Sequence, residues 1–352
     1  MPTPELLDKL LRAPGPSGHE TGPARVWRDG CAAFSDDVRG DHVGSSVARV
    51  PGTAGGPTLA VIGHIDEIGV HVTHIDDDGY LRFGEVGGWD PIQLVGQRVR
   101  LATRGGDLVG VIGRKPIHLI KPDERDHAPK TKDLHIDLGA ADGDEARGIV
   151  RIGDVGVIDV EPVTLPNNRL ASRSLDNRIG CFVAAEAARL VAAEGGAPGD
   201  VLALAVAQEE TTFAGARTSA FGLTPDLAIV VDVTHATDQP GVELGQVTAH
   251  KLGSGPVIAR GTSLHPRVSE LLYETAEEME LPFTVESLGR GTGTDADAVH
   301  ATRAGIPTGL VSVPLRYMHS AVELVALADV EAAAKLIAKF AQSLAAGMSF
   351  QR

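Results

Sequence analysis

Cysteine is scarce in this sequence, which holds two cysteines, Cys31 and Cys181, among 352 residues. They lie far apart, and neither has a partner at the spacing typical of metal ligands. Neither a disulfide framework nor a thiolate zinc site is therefore indicated. We interpret both cysteines as buried, small apolar residues.

Positive charge and long apolar runs are also in short supply. The formal net charge of −15 at pH 7 would repel a phosphate backbone, and no stripe of lysine and arginine interleaved with aromatic residues is visible. No run approaches the roughly 20 apolar residues of a membrane span, and the N-terminal segment lacks an apolar secretory core. We therefore expect no nucleic-acid or membrane partner, and a cytoplasmic protein.

Glycine, proline and aliphatic residues are abundant, and their arrangement along the chain is typical of a folded α/β protein. The 42 glycines, 21 prolines and 43% hydrophobic residues predict a globular chain with many turns. After residue 163, apolar strand segments and helical segments alternate, whereas residues 70–163 carry short alternating runs cut by turn residues. We predict a mixed-sheet α/β domain of residues 1–69 and 164–352, with a small β-barrel of residues 70–163 inserted into it.

The triplet His-Ile-Asp occurs three times, beginning at His64, His74 and His135. Only the first copy directly follows a core strand, TLAVIG, whose carboxyl end is where open α/β sheets place their sites. There His64 can offer an imidazole nitrogen to a metal while Asp66 orients the ring. The segment alone is equally compatible with a capped loop histidine. We interpret the other two copies as structural.

Four further segments bring residues that bind metals to the ends of predicted elements. Asp176 precedes a helix, where it can cap the helix or bridge two cations. Glu209 and Glu210 close the apolar strand VLALAVA, and adjacent side chains diverge, so one can ligate a metal while the other contacts a water. Asp232 lies in an apolar run, where a carboxylate is costly unless paired or metal-bound, and His319 follows another such run. Together these positions predict a metal site.

The ordered segments GHIDEIG, SLDNR, QEE, VDV and RYMHS resemble the glutamyl aminopeptidase family of co-catalytic metallo-aminopeptidases, whose members form tetrahedral particles. The likeness extends through GGWDP, KPIH, IDLGA and GTGTDA and so covers nearly the whole chain. It implies a phosphorylase/hydrolase-like metallopeptidase fold. One departure follows QEE, where TTFAGA replaces the usual Val-Gly and further glycine, although Gly215 is retained.

The resemblance also implies a role for each candidate residue. Metal one is expected on His64 and Asp232, metal two on Glu210 and His319, with Asp176 bridging both, Glu209 as general base and Asp66 as the residue that orients His64. Imidazole and carboxylate ligands suit Zn²⁺ or Co²⁺, and we expect two Zn²⁺ ions because zinc is more available.

The expected activity is removal of N-terminal residues from short peptides. The resemblance further implies a homo-oligomer, commonly a dodecamer of dimers joined through the inserted barrel. Three alternatives remain: a related di-metal deacylase or carboxypeptidase, a glucanase, as some members are described, and an inactive scaffold. Two weaker signals are the glycine-rich segment 291–295, as a pocket wall or a helix-capping turn, and Arg316, as a contact for the peptide.

Overall fold

The computed structural model describes residues 2–243 and 248–352. Within them the α-helices are α1 Glu5–Arg12, α2 Thr21–Cys31, α3 Pro91–Leu94, α4 Gly143–Ile149, α5 Leu175–Ala193, α6 Glu209–Thr212, α7 Ala214–Leu223, α8 Pro266–Glu278, α9 Ala296–Val299 and α10 Leu327–Ser343. The strands are β1 Asp37–Gly40, β2 Ser46–Val50, β3 Leu59–His64, β4 Gly69–Ile75, β5 Leu81–Val86, β6 Arg98–Thr103, β7 Gly106–Arg114, β8 Leu134–Asp137, β9 Val155–Ile158, β10 Val163–Leu165, β11 Arg169–Ser172, β12 Val201–Val206, β13 Leu227–His235, β14 Val257–Gly261, β15 Thr284–Leu288, β16 Thr308–Leu315 and β17 Glu323–Ala326.

An eight-stranded mixed sheet forms the centre of the molecule, in the order β1-β2-β12-β3-β13-β16-β14-β15. Its four middle strands, β12, β3, β13 and β16, run parallel. Every residue of β3 and β12 is buried, as expected for parallel strands covered on both faces. Because these four strands are parallel, their carboxyl ends meet at one edge of the sheet.

Helices cover both faces of this sheet. One face packs against apolar residues of α1, α2, α5, α8 and α10, and the other against α7 and α9. Both cysteines are free and buried, as predicted, and both belong to the core of the first face. The described residues include no helix that is long and apolar enough to cross a membrane. A cytoplasmic location stays a prediction.

The backbones of β3 and α5 approach each other closely at Gly63. A Cβ atom on Gly63 would lie 2.3 Å from the carbonyl carbon of Gly180, and one on Gly180 would lie 2.7 Å from the carbonyl oxygen of Val231 in β13. No side chain fits between these elements, because real Cβ contacts are longer than this. The end of β3 and the start of α5 are therefore fixed side by side.

A closed antiparallel barrel interrupts the α/β part, in the order β4-β5-β8-β7-β6-β9. Its strands run from Gly69 to Ile158, and it has its own apolar core. In β6 the buried residues Val99 and Leu101 alternate with more exposed neighbours, which is the period-two pattern of a half-buried strand. The predicted mixed-sheet α/β fold with an inserted barrel is confirmed; the limits 70 and 163 stay a prediction.

The histidines of the second and third His-Ile-Asp triplets lie on the barrel. His74 is an exposed residue of β4, and His135 in β8 makes an edge-to-face ring contact with Tyr80 at 5.0 Å between centroids. A three-stranded sheet, β10-β11-β17, was not predicted from the sequence. It matters for the site because β11 leads into α5 and β17 begins at a buried glutamate.

Candidate metal centre

The carboxyl-end edge of the parallel strands brings the predicted residues together. His64 ends β3, Glu209 and Glu210 begin α6 just after β12, Asp232 lies in β13, and His319 follows β16. Asp176 reaches the same place from the start of α5. Residues from five separate parts of the chain thus meet at one edge of the sheet.

Asp176 lies between the two histidines. Its Oδ1 is 3.1 Å from His64 Nε2, and its Oδ2 is 3.5 Å from His319 Nε2. His319 Nε2 is also 3.5 Å from Glu210 Oε2, and His64 Nε2 is 3.7 Å from Glu209 Oε2. Donor atoms around one tetrahedral Zn²⁺ lie about 3.3 Å from each other. The spacing therefore fits donors arranged around cations.

Two groups of three residues place their ligand atoms within 4.8 Å of one another, and they share His64. The first group is His64, Asp176 and Glu210; the second is His64, Glu209 and Asp232. His64, Asp176 and Asp232 are buried, whereas the side chain of His319 is 34% exposed. The centre is therefore mostly closed, and it is more open on the side of His319.

Each histidine presents Nε2 to the centre because its Nδ1 is engaged elsewhere. His319 Nδ1 donates to the carbonyl oxygen of Gly88 at 2.7 Å, and His64 Nδ1 lies 3.3 Å from the carbonyl oxygen of Asp66. A carbonyl oxygen only accepts, so in both rings the hydrogen resides on Nδ1. Nε2 of each ring faces the carboxylates, and its lone pair would become available to a metal once its proton is displaced. Gly88 belongs to the barrel segment, between β5 and α3.

Asp66 links His64 to the glutamate pair. Its Oδ1 lies 3.4 Å from His64 Nδ1, and its two oxygens accept the backbone N–H groups of Glu209 at 3.0 Å and Glu210 at 3.1 Å. The sequence predicted the first of these contacts. The second shows that one buried carboxylate sets the position of both glutamates as well as of the imidazole.

Comparison with known proteins identifies the family of this chain. The model of the M42 glutamyl aminopeptidase family matches residues 44–336. The chain belongs to the M42 family. The lysyl aminopeptidase of Pyrococcus furiosus is 37% identical over 336 residues, which cover 94% of each chain. The predicted family and the predicted enzyme class, a hydrolase of peptide bonds, are both confirmed.

Two solved structures of TET peptidases share the fold over nearly the whole chain. A TET aminopeptidase from a marine-sediment Thaumarchaeota archaeon superposes with a TM-score of 0.91 at 34% identity, over 97% of this chain and 96% of that one. The TET1 peptidase of Pyrococcus horikoshii gives a TM-score of 0.84 at 31% identity, over 97% and 99%. That peptidase is described as assembling into a tetrahedron or a large octahedral shell.

In the metal-free centre, three carboxyl groups and one imidazole hold their protons to higher pH than they would in water. Burial is the largest cause: it raises the pKa of Glu209 to about 10, of Glu210 to about 8 and of Asp232 to about 7. The hydrogen bond with Asp176 raises the pKa of His319 to about 9. M42 membership implies the use of divalent metal ions, which would have to displace these protons.

The pKa values of Asp176 and His64 shift in the direction opposite to the one that burial alone would cause. Burial alone would raise the pKa of Asp176, but its contacts with His319 and His64 outweigh burial and lower it. Burial alone would lower the pKa of His64, but the charge of Glu209 and the hydrogen bonds with Asp176 and Asp66 raise it well above its ordinary value. Asp176 is thus the carboxylate that stays ionised between the two imidazoles.

Glu323, at the start of β17, was missed by the sequence interpretation. It is buried, and its two oxygens accept the backbone N–H groups of Asp176 at 3.1 Å and His319 at 3.0 Å. One side chain therefore fixes the backbone of two candidate ligands from different elements. A carboxylate inside the apolar run AVELVALA was the available signal, the same signal that singled out Asp232.

A second group that sequence analysis missed is a buried ion cluster behind the centre. Glu67 accepts from Arg178 Nη2 at 3.1 Å, from Arg173 and from the backbone N–H of Gly15. All three charged side chains are nearly inaccessible. Because Glu67 follows Asp66 and the arginines flank Asp176, the cluster ties the two segments that carry these residues.

The loop after Glu210 brings the backbone back into contact with Ala207 despite its unusual sequence. A single helical turn, α6, ends at Thr212, and the next residue, Phe213, has a φ of 56°. The N–H of Gly215 then donates to the carbonyl oxygen of Ala207 at 2.9 Å, and a Cβ atom on Gly215 would lie 2.4 Å from Ala207 N. The retained glycine is thus required by the approach of the two backbones.

The segment 291–295 forms part of a cavity wall, as one of its two interpretations predicted: Thr292, Gly293 and Thr294 line the cavity at the centre. Asp295 is buried, neither of its carboxylate oxygens has a hydrogen-bond partner among the described residues, and burial raises its pKa well above the ordinary value. Arg316 pairs with Asp238 at 2.6 Å and is not part of this wall.

Proposed function

We propose that this chain is a two-metal aminopeptidase that removes N-terminal residues from short peptides. The observation that supports it most directly is Asp176, an ionised carboxylate whose two oxygens face two different imidazoles. A single carboxylate in that position is suited to bridge two cations. Of three further carboxylates at the centre, Glu210 belongs to one group with Asp176, and Glu209 and Asp232 belong to a second group that shares His64.

His64 and Asp232 would hold the first ion, and Glu210 and His319 the second, with Asp176 shared. Nitrogen and carboxylate donors without thiolate suit Zn²⁺ or Co²⁺, and Zn²⁺ is proposed as the more available ion. When bound, such ions lower the pKa of a water and polarise the scissile carbonyl.

Glu209 is proposed as the general base. It takes a proton from the attacking water and returns it to the leaving amine. Its backbone N–H is held by Asp66, which also holds His64, so the base and a ligand share one support. Glu209 also lies within ligand distance of His64 and Asp232. Its role as base rather than ligand is therefore the part of the proposal that needs its own test.

A substrate survey of the Zn²⁺-reconstituted protein tests the function. We expect hydrolysis of amino-acid p-nitroanilides with a free α-amine, and no hydrolysis of the N-acetylated anilides, of C-terminal peptide substrates or of cello-oligosaccharides. Preferential hydrolysis of N-acyl or C-terminal substrates would replace the proposal by the deacylase or carboxypeptidase alternative. Release of sugar would favour a glucanase, and inactivity towards all classes a scaffold.

For assembly, we propose that the barrel of residues 70–163 joins two copies of this chain as the building unit of a larger homo-oligomer. Support comes from the assembly described for the Pyrococcus horikoshii peptidase and from apolar side chains on the barrel surface. Val109, Val111, Ile117 and Leu119 are 47%, 50%, 60% and 64% exposed. Exposed apolar residues that are close in sequence mark an interaction surface.

The double variant Val111→Asp/Leu119→Asp is expected to reduce the particle to small species, because two buried charges would have to enter the interface. Phe221→Asp is the matched control, since Phe221 is 61% exposed but lies on α7, outside the barrel. Light scattering measures the mass of each variant. An unchanged large particle for the double variant would rule out this surface. Removing the whole barrel is a poorer test, because Gly88, which holds His319, would be lost with it.

A further inference from the structure

A cavity of about 550 Å³ opens beside the metal centre. One wall is formed by the candidate ligands, and the opposite wall by residues of β13, β15 and β16 and by the segment 292–294. Cavities of this size accommodate a small ligand or one side chain of a larger one. The wall away from the ligands includes Val233, Thr234, Glu286, Leu288 and Leu310.

Glu286 is the one carboxylate on that opposite wall among the described residues, and no lysine or arginine lines the described part of the cavity. It lies on β15, the edge strand of the large sheet, and is half-buried. Its hydrogen bond from Thr234 Oγ1 is long, at 3.3 Å, and within residues 2–243 and 248–352 it forms no ion pair of 4.0 Å or less. The carboxylate therefore keeps acceptor capacity and charge for a ligand.

The imidazole that interacts with Glu286 does not offset this charge. His250 is buried and its Nδ1 lies 2.7 Å from Thr284 Oγ1. Burial lowers the pKa of His250 below its ordinary value, although Glu286 opposes the shift. His250 is therefore neutral at pH 7 and adds no positive charge beside the carboxylate of Glu286.

We infer that this cavity selects peptides with lysine or arginine at the N-terminus, and that Glu286 binds the cationic end of that side chain. The inference rests on the proposed function and names its substrate class. The aliphatic stem of such a side chain would pack on Val233, Leu288 and Leu310, which line the same wall. An N-terminal glutamate or aspartate would face like charge, so acidic residues are disfavoured.

The test compares kcat/KM for the p-nitroanilides of lysine, leucine and glutamate with Zn²⁺-loaded protein. The wild type is expected to prefer lysine over leucine and to cleave glutamate most slowly. Glu286→Gln should lower kcat/KM for lysine by about 10- to 100-fold, the usual worth of a hydrogen bond to a charged group, and leave leucine within about two-fold. Glu286→Lys should instead favour glutamate. Bound metal, measured by elemental analysis, should not change.

Glu277→Gln is the matched control, because Glu277 is exposed on α8 and does not line the cavity. A competition test needs no variant: in the wild type, lysine should inhibit leucine anilide hydrolysis at least 10-fold more strongly than norleucine, which lacks only the side-chain amine.

Three results would overturn the inference. Equal losses on lysine and leucine in Glu286→Gln would place Glu286 on the α-amine shared by all substrates. Equal inhibition by lysine and norleucine would show that the cavity does not bind the side-chain ammonium group of lysine. A wild type that cleaves leucine or glutamate as well as lysine would remove the selectivity but leave the proposed function intact, whereas failure to cleave any free-amine anilide would refute the proposed function itself.

Discussion

Glu209→Gln is expected to lower turnover by about 10²- to 10⁴-fold, the usual worth of general acid/base catalysis, while bound metal stays near the wild-type amount. Glutamine keeps the shape and hydrogen-bonding capacity of the side chain but cannot accept the proton of the water. The backbone of residue 209 would still be held by Asp66, whose oxygen accepts its N–H at 3.0 Å. The loss should therefore be one of chemistry and not of structure.

Glu210→Gln is the matched variant, because it makes the same chemical change at the neighbouring residue, held by the other oxygen of Asp66. Here the change weakens a ligand, so occupancy of the second ion should fall and excess Zn²⁺ or Co²⁺ should restore part of the rate. Metal content and turnover, measured at several metal concentrations, separate the two effects. If Glu209→Gln loses metal and Glu210→Gln does not, the two roles are exchanged; if neither variant is impaired, the site lies elsewhere.

Removal of metal should abolish peptidase activity altogether, and Zn²⁺ or Co²⁺ should restore it. Both the attacking water and the carbonyl depend on cations in the proposed mechanism, and no alternative nucleophile is assigned. Activity is assayed before chelation, after it and after metal is returned. Full activity in protein shown by elemental analysis to be metal-free would refute the two-metal mechanism.

The effect of metal removal on stability should depend on pH, and the pKa shifts at the site give the direction of that dependence. In the metal-free protein the pKa values of Asp232, Glu210, His319 and Glu209 are raised to about 7, 8, 9 and 10. The folded state then binds more protons than the unfolded state, so stability is present at low pH and is lost as pH rises through these values. Chelation should lower the unfolding midpoint more at pH 8.5 than at pH 6.5. A chelation effect that shrinks as pH rises would contradict this picture of protons displaced by cations.

Much of this centre could be predicted because its residues follow buried strands. The apolar runs of β3, β12, β13 and β16 are readable in the sequence, and parallel strands of one sheet end at the same edge. The order of the strands is not readable, so the sequence predicted that His64, Glu209, Asp232 and His319 share a site but not which atoms face each other. The family resemblance, and not the spacing, assigned individual roles.

Glu286 and the buried ion cluster escaped prediction for two different reasons. All residues of β15 are only partly buried or exposed, so Glu286 stands in a run with no alternation to identify a strand. Glu67 and Arg178 look like ordinary polar residues in the sequence, yet both are buried because they neutralise each other. Burial of a charge is a tertiary property and depends on partners more than 100 residues away.

The contact between His319 and Gly88 limits how freely the two parts of this protein can be exchanged in evolution or engineering. The carbonyl oxygen that fixes the ring of His319 belongs to the barrel segment, while the histidine follows a strand of the large sheet. A different inserted domain would have to supply an equivalent acceptor at the same point, or the imidazole would lose its fixed tautomer. The barrel is therefore a component of the proposed active centre, and grafting the large sheet alone onto another scaffold would transfer that centre incompletely.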